Sequence, residues 1–311
     1  MIRPINVLAA GWRPPPPSGV AIGVFDGVHV GHRSVIEKLV ARSEVEGLVT
    51  GVLTFDPHPV EILAPGRAPL LLTALERRTE LLADLGVGWV GVLDLADIRT
   101  MPPETFVSEV LVGRARSRIV SAGADFRFGH DRAGDVGVLA KLGEELGFSV
   151  EAVELESAGD EPVSSTRIRR LIEIGDVPEA AALLGRWHRV SGVVLHGDAR
   201  GRTLGYPTAN IAPSERLALP ADGIYAVRVS GPPPIEDMPA VASIGVRPTF
   251  GEGGRRLLEV HVFDVSADLY GAVLDVDFVR RLRGEERFAQ VDDLVAQMDV
   301  DAAEAREALS P

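Results

Sequence analysis

The chain has 311 residues, a formal charge of −13, 46% hydrophobic and 25% charged residues, a balance ordinary for a soluble enzyme of about two domains. That excess of acid argues against a general nucleic-acid binder, so any site for an anion must be local. With no cysteine, disulfides, thiolate catalysis and Cys-ligated zinc are excluded. Met1 to Arg13 makes a poor secretion signal and no apolar run is long enough to span a bilayer, so a cytoplasmic location without a membrane partner is expected. Pro14 to Pro17 reads as a stiff polyproline connection that delivers the first strand.

That strand ends at Ile22 and Val24 and runs into Gly23-Val-Phe-Asp-Gly-Val-His-Val-Gly-His32, ahead of a helix predicted over Arg33 to Ser43. Gly27 and Gly31 let backbone approach a ligand, and the unpaired N–H groups of the helix start suit an anion. His29 and His32, three apart, would lie together on the first turn, where both imidazoles could donate to phosphate oxygens. The same spacing could serve a metal, although zinc would want a third ligand such as cysteine. Leu48 to Phe55 is a second strand, ending in Asp56-Pro-His-Pro59 where ligands collect at strand C-termini. Thr73-Ala-Leu-Glu76 reads as a capping box opening a helix that Gly86 closes. Strands at Trp89 to Leu93, Arg118 to Ala122 and Ser149 to Val153 then alternate with helices at about Pro103 to Val112 and Val136 to Leu146. The alternation predicts an α/β domain with a Rossmann-like parallel sheet and helices on both faces. In Gly123-Ala-Asp-Phe-Arg-Phe-Gly129 two aromatics flank an arginine, a combination suited to a planar ring that bears phosphate. Ser164-Ser-Thr-Arg-Ile-Arg169 opens a helix whose first-turn cations oppose the helix dipole, which fits a bound anion or a solvated face. A last helix from Asp176 and Pro178 stops at Gly185, so the first domain is predicted over 1–185 and the second over 186–311.

From Val190 short strands at hairpin spacing predict an antiparallel β-barrel with terminal helices. Gly197-Asp-Ala-Arg-Gly-Arg-Thr-Leu-Gly-Tyr-Pro-Thr-Ala-Asn210 is a glycine-rich loop with two arginines, followed by oxygen donors that suit Mg²⁺. In Leu257-Leu-Glu-Val-His-Val-Phe263 the period of two puts Leu258, Val260 and Val262 on one face and Leu257, Glu259, His261 and Phe263 on the other. A further capping-box helix is expected from Asp301.

The stretch from Gly23 to Arg33 resembles the signature of the flavin-forming HxGH nucleotidyltransferases, and the segment from Gly197 to Asn210 resembles that of riboflavin kinases. Together with Phe55 to Pro59, Gly123 to Gly129, Ser164 to Arg169, Gly223-Ile-Tyr225 and Ser243 to Phe250, the resemblance to the bacterial bifunctional riboflavin kinase/FMN adenylyltransferases covers nearly the whole chain. It implies that ATP phosphorylates riboflavin in the second domain and that a second ATP adenylylates FMN in the first, releasing pyrophosphate. It implies His29, His32, Arg167 and Glu259 as catalytic, Glu259 as base for the ribityl hydroxyl. Nucleotide contacts would come from Gly23, Phe25, Asp26, Gly27, Gly31, Ser164, Ser165 and Thr166, and in the kinase from Gly197, Arg200, Gly201, Arg202 and Gly205. Flavin would meet Phe55, Asp56, Pro57, His58, Asp125, Phe126, Arg127, Phe128 and Arg247, and Thr208 and Asn210 would hold Mg²⁺. The partners expected are riboflavin, FMN and ATP. The alternative is a single-activity enzyme or a flavin-binding regulator with one decayed site.

Overall fold

The computed structural model describes residues 2–9, 11–154, 157–159, 161–196, 205–246 and 256–310. Gly197, Arg200, Gly201, Arg202 and Arg247 therefore lie outside the described residues. The chain forms two compact units, Met1–Ser165 and Thr166–Pro311.

The first unit is built on a six-stranded sheet in which every pairing is parallel. Its strands are β1 (Ile5–Asn6), β2 (Ser18–Ile22), β3 (Val49–Phe55), β4 (Trp89–Leu93), β5 (Ser117–Gly123) and β6 (Ser149–Val153), in the order β1-β4-β3-β2-β5-β6. All five residues of β2 are buried, as a central parallel strand covered on both faces requires. Val20, Ile22, Leu53, Phe55, Val120 and Ala122 point to one face, under Phe106, Leu111 and Leu139. Ala21, Val52 and Ile119 alternate to the other, under Ile36, Leu39 and Leu82. The covering helices are α1 (Val30–Val45), α2 (Pro59–Leu63), α3 (Leu75–Asp84), α4 (Leu95–Ile98), α5 (Pro103–Thr105) and α6 (Val136–Leu146), with α5 continuing as a π-helix over Phe106–Arg114. A two-stranded ribbon, β7 (Ser157–Ala158) with β8 (Glu161–Pro162), follows. From β2 the chain winds outward through β3 and β4, then returns to pair β5 with the opposite edge of β2. This is the topological switch point at which parallel sheets open a crevice.

One local expectation is corrected here. Thr73 caps nothing: α3 has Ala74 at its N-cap without a side-chain bond. The Thr73 hydroxyl instead accepts from the Gly27 amide at 3.1 Å and lies 3.3 Å from Asp26 Oδ1, a long-range use that outcompetes the cap. The capping box occurs at α2, where His58 Nδ1 accepts from Val60 and Glu61 accepts from the His58 amide at 3.0 Å.

In the second unit α7 (Ser165–Ile174) and α8 (Val177–Leu184) lead into a closed antiparallel barrel. Asp176 caps α8 and Gly185, at φ 70°, ends it. Val177 of α8 shares a buried cluster with barrel residues, and the border between the two units falls after Ser165, the first residue of α7. The barrel strands are β9 (His188–Leu195), β10 (Ala209–Pro213), β11 (Gly223–Ser230), β12 (Met238–Val246), β13 (Arg256–Val262) and β14 (Val273–Arg283), ordered β10-β13-β12-β11-β14-β9 and closed by β9 on β10. Leu258, Val260 and Val262 point into it as the period of two predicts. A final helix, α9 (Val291–Ala308), covers part of the outer face, where Phe263 is 1% exposed beside Ala305 and Leu309. The helix expected to start at Asp301 starts ten residues earlier, with Asp292 and Asp293 in its first turn. Asp301 lies in its middle, and its carboxylate accepts from Arg283 at 2.8 and 2.7 Å and from Gln297 at 3.0 Å.

Candidate active sites

In the first unit the loop leaving β2 bends sharply. Phe25, Gly27 and Val28 all take positive φ, of 50°, 85° and 40°, and among them only glycine adopts this without strain. Buried polar bonds hold that bend. The Asp26 carboxylate, 1% exposed, accepts from the amides of Leu72 and Thr73 at 2.9–3.0 Å. Its carbonyl accepts from the Ser165 hydroxyl at 2.9 Å. The bend delivers His29 to the N-cap of α1, where its Nδ1 accepts from the His32 amide. A neutral His29 bonded in this way carries its ring proton on Nε2. His32 stacks on His29 at 3.6 Å between ring centroids and meets the edge of Phe25 at 5.2 Å. Burial, then the neighbouring His29 and Arg78, hold the His32 pKa well below its ordinary value, so its ring is neutral at physiological pH. Its buried Nδ1 has no hydrogen-bond partner among the described residues.

A cavity of about 900 Å³ opens at the C-terminal ends of β2, β3, β5 and β6. It brings together Gly23, Phe25, Gly31, His32, Phe55, Asp125, Phe126, Arg127 and Phe128. Phe126 and Phe128 stack at 5.5 Å, and Phe106 packs on Phe128 at 5.6 Å. Phe128 also pairs with Gly134, where a Cβ would come within 2.7 Å of its ring. Asp26, Gly27, His29, Asp56, Pro57 and His58 support the wall without lining the cavity. Thr166 and Arg167 belong to the second unit, where Arg167 faces Glu179 at 3.7 Å. Arg99, Thr100 and His130 also line the cavity and sequence reasoning passed them over. It also passed over Arg78, although Leu75, Arg78, Thr79 and Leu82 follow the i, i+3, i+4, i+7 spacing of a buried helix face. An arginine in that stripe was a readable signal.

The second unit has its own cavity, of about 310 Å³, between the outer face of β12 and β13 and the helix α9. Thr208, Glu259, His261 and Ser243 line it with Tyr206, Arg283, Met298 and Asp301. Asn210 lies outside the lining but stands opposite Glu259 across β10 and β13, while Ser243 stands opposite it on β12, so all three share one face. The His261 ring donates to the Pro207 carbonyl at 2.8 Å, which ties the segment carrying Thr208 to β13. The Tyr206 hydroxyl donates to Asp299, and burial and that carboxylate raise its pKa to about 12. The α9 wall could not be read from the strand pattern, because residues 80 or more positions from Tyr206 supply it.

The family model of FAD synthetase matches residues 13–167 and that of riboflavin kinase matches residues 184–309. Among curated relatives, the bifunctional riboflavin kinase/FMN adenylyltransferase of Escherichia coli strain K12 is 39% identical over 93% of this chain and 91% of its own. Those of Listeria monocytogenes and Bacillus subtilis are 38% and 34% identical, over 92% and 93% of this chain and 91% of each relative. A crystal structure described as a macrolide-efflux protein from Streptococcus pneumoniae superposes with a TM-score of 0.88 at 32% identity, covering 98% of both chains. Among the described residues no helix is long and apolar enough to cross a membrane.

Proposed function

The chain belongs to the bifunctional riboflavin kinase/FMN adenylyltransferases, and from that premise we propose which of its residues carry the two reactions. It phosphorylates riboflavin with ATP to give FMN, then transfers AMP from ATP to FMN to give FAD and pyrophosphate. The adenylyl transfer is assigned to 1–185 and the kinase to 186–311. One observation carries the first assignment: a single cavity joins the neutral His32 ring to the Phe126–Phe128 aromatic loop, pairing a hydrogen-bond donor suited to phosphate with an aromatic surface suited to a flavin ring.

For adenylyl transfer, the FMN phosphate attacks the α-phosphorus of ATP in line and pyrophosphate leaves. No covalent enzyme intermediate is needed. Neutral His32 donates an N–H bond to oxygens that gain charge in the transition state, His29 stacks behind it as its partner in the motif, and the positive end of α1 faces the same phosphates. Ser164, Ser165, Thr166 and Arg167 are proposed for the outgoing pyrophosphate. Asp26, by contrast, is given the role of holding the bend, since its carboxylate is committed to Leu72 and Thr73.

For the kinase, Glu259 accepts the proton of the ribityl hydroxyl as it attacks the γ-phosphorus, and alignment contributes more than basicity. Gly197, Arg200, Gly201, Arg202 and Gly205 are proposed for ATP and Arg247 for flavin. Thr208 and Asn210 offer hard oxygen donors beside Glu259, which fits Mg²⁺. Among the described residues no group of three or more His, Cys, Asp or Glu could hold a metal ion. Bound there, Mg²⁺ would neutralise phosphate charge. Substrates of this kind need neither nucleic acid nor membrane, and a cytoplasmic location accords with them.

Incubating the protein with riboflavin, ATP and Mg²⁺ and separating the flavins by chromatography tests the reading. FMN should appear first and FAD after it. Accumulation of FMN without FAD, or no conversion, would contradict it.

A further inference from the structure

We propose that Arg78 is a positioning residue for FMN adenylylation, its buried guanidinium fixing the backbone that forms the cavity wall beside His32. The inference rests on the assignment of that cavity to adenylyl transfer. Arg78 is 1% exposed and lies on the inward stripe of α3 with Thr79 and Leu82. One of its terminal nitrogens donates to the Val24 carbonyl at 3.0 Å, the Thr54 hydroxyl at 3.1 Å and the Phe55 carbonyl at 3.1 Å. The other reaches the Thr73 carbonyl at 3.5 Å and stands 3.9 Å from Asp26 Oδ1. The Thr54 hydroxyl in turn donates to the Val24 carbonyl at 2.8 Å.

A single side chain thus joins the exit of β2, the end of β3 and the segment that precedes α3. Val24 and Phe55 both line the cavity, and Val24 directly follows Gly23 of the phosphate motif. Stability alone does not account for such a residue. A buried ion pair is often matched or bettered by an apolar side chain of similar volume. What an apolar residue or a lysine cannot supply is a planar fork that meets acceptors from several segments in one fixed geometry. Adenylyl transfer depends on that kind of accuracy, since a shift of about 1 Å in a positioned group can cost roughly 10²-fold in rate. The charge contributes as well. The groups facing His32 are the stacked His29, the edge of Phe25 and, through space, Arg78, whose charge Asp26 partly balances. With His29 and burial, Arg78 disfavours protonation of His32.

The test uses full-length Arg78→Lys, Arg78→Gln and Thr54→Val, supplied with FMN, ATP and Mg²⁺, with riboflavin phosphorylation in the same preparation as the control for folding. Arg78→Lys should lower kcat for FAD formation by roughly 10²-fold while KM for FMN and ATP stays within about threefold, because alignment rather than affinity is lost. Thr54→Val, which removes one acceptor of the fork, should lower kcat in the same sense by about tenfold. Arg78→Gln should move the acid limb of the kcat profile to higher pH, since His32 then protonates more easily, and Arg78→Lys should leave that limb in place. Riboflavin phosphorylation should hold in all three. Parent kcat in Arg78→Lys, or a loss confined to KM, overturns the proposal. If Arg78→Lys does not fold, Thr54→Val decides, and parent kcat there overturns it equally. A His29→Ala/His32→Ala protein assayed alongside separates the two layers. If it still makes FAD at the parent rate, the cavity assignment fails, whereas loss there with unaffected Arg78 variants defeats only the role of Arg78.

Discussion

On the assignment proposed above, a neutral His32 donates a hydrogen bond without a full charge, so it would stabilise charge building on the phosphate oxygens without holding the departed pyrophosphate as a cation would. Losing one preorganised donor commonly costs about 10²–10³ in rate. His29→Ala/His32→Ala should therefore make no measurable FAD from FMN and ATP while still converting riboflavin to FMN, as chromatography of the two reactions would show. The same burial has a consequence for stability. His32 has its pKa lowered in the folded state from 6.5, so the unfolded chain binds the proton more readily. Its contribution is intact above about pH 6.5 and is lost as pH falls from there toward the folded value. In thermal melts, the parent protein should lose Tm relative to His32→Gln as pH is lowered below about 6.5, and the two curves should run parallel above it. Diverging curves at higher pH instead would contradict a buried, neutral His32.

At the scale of elements, α9 is fastened to the barrel by Arg283 and Asp301, whose side chains are 19% and 6% exposed. Removing one partner of so enclosed a pair leaves the other charge without compensation. Asp301→Ala should destabilise the second unit by about 3 kcal/mol. Riboflavin phosphorylation should weaken with it, since both residues line that cavity, and denaturant melts with the two assays would show whether FAD formation from FMN is spared. Elements of this chain differ in how far sequence discloses them. The strands and the α8 caps were legible because periodicity, Asp176 and Gly185 act within a few residues. Thr73 and Asp301 misled for the opposite reason: each has the local signature of a cap, yet its polar atoms serve groups 46 and 18 positions away. The candidate site divides likewise. The His29–His32 motif and the Glu259 face could be read from spacing, while Arg78 and the α9 wall matter only once distant segments meet.

Across the whole molecule, each unit contains its own cavity, and this makes the two chemistries separable by mutation. Glu259→Gln keeps size and strand packing but removes the proton acceptor, so riboflavin phosphorylation should fall by roughly 10²-fold or more. FAD formation from supplied FMN should not change, which coupled assays of each step would establish. Retained phosphorylation would remove Glu259 from the mechanism, and loss of both activities with loss of soluble protein would make its role structural. The closed order of the barrel also bears on how the protein is made. β14 lies between β9 and β11, and β9 pairs with it across about 85 residues of chain. Until residues 273–283 have left the ribosome, both neighbours present open strand edges, a template for pairing with other chains. The second unit must therefore complete its folding late in synthesis, through contacts of long sequence separation that form slowly. A chain ending before Val273 would then be lost to aggregation even though every residue proposed for kinase chemistry had already been translated.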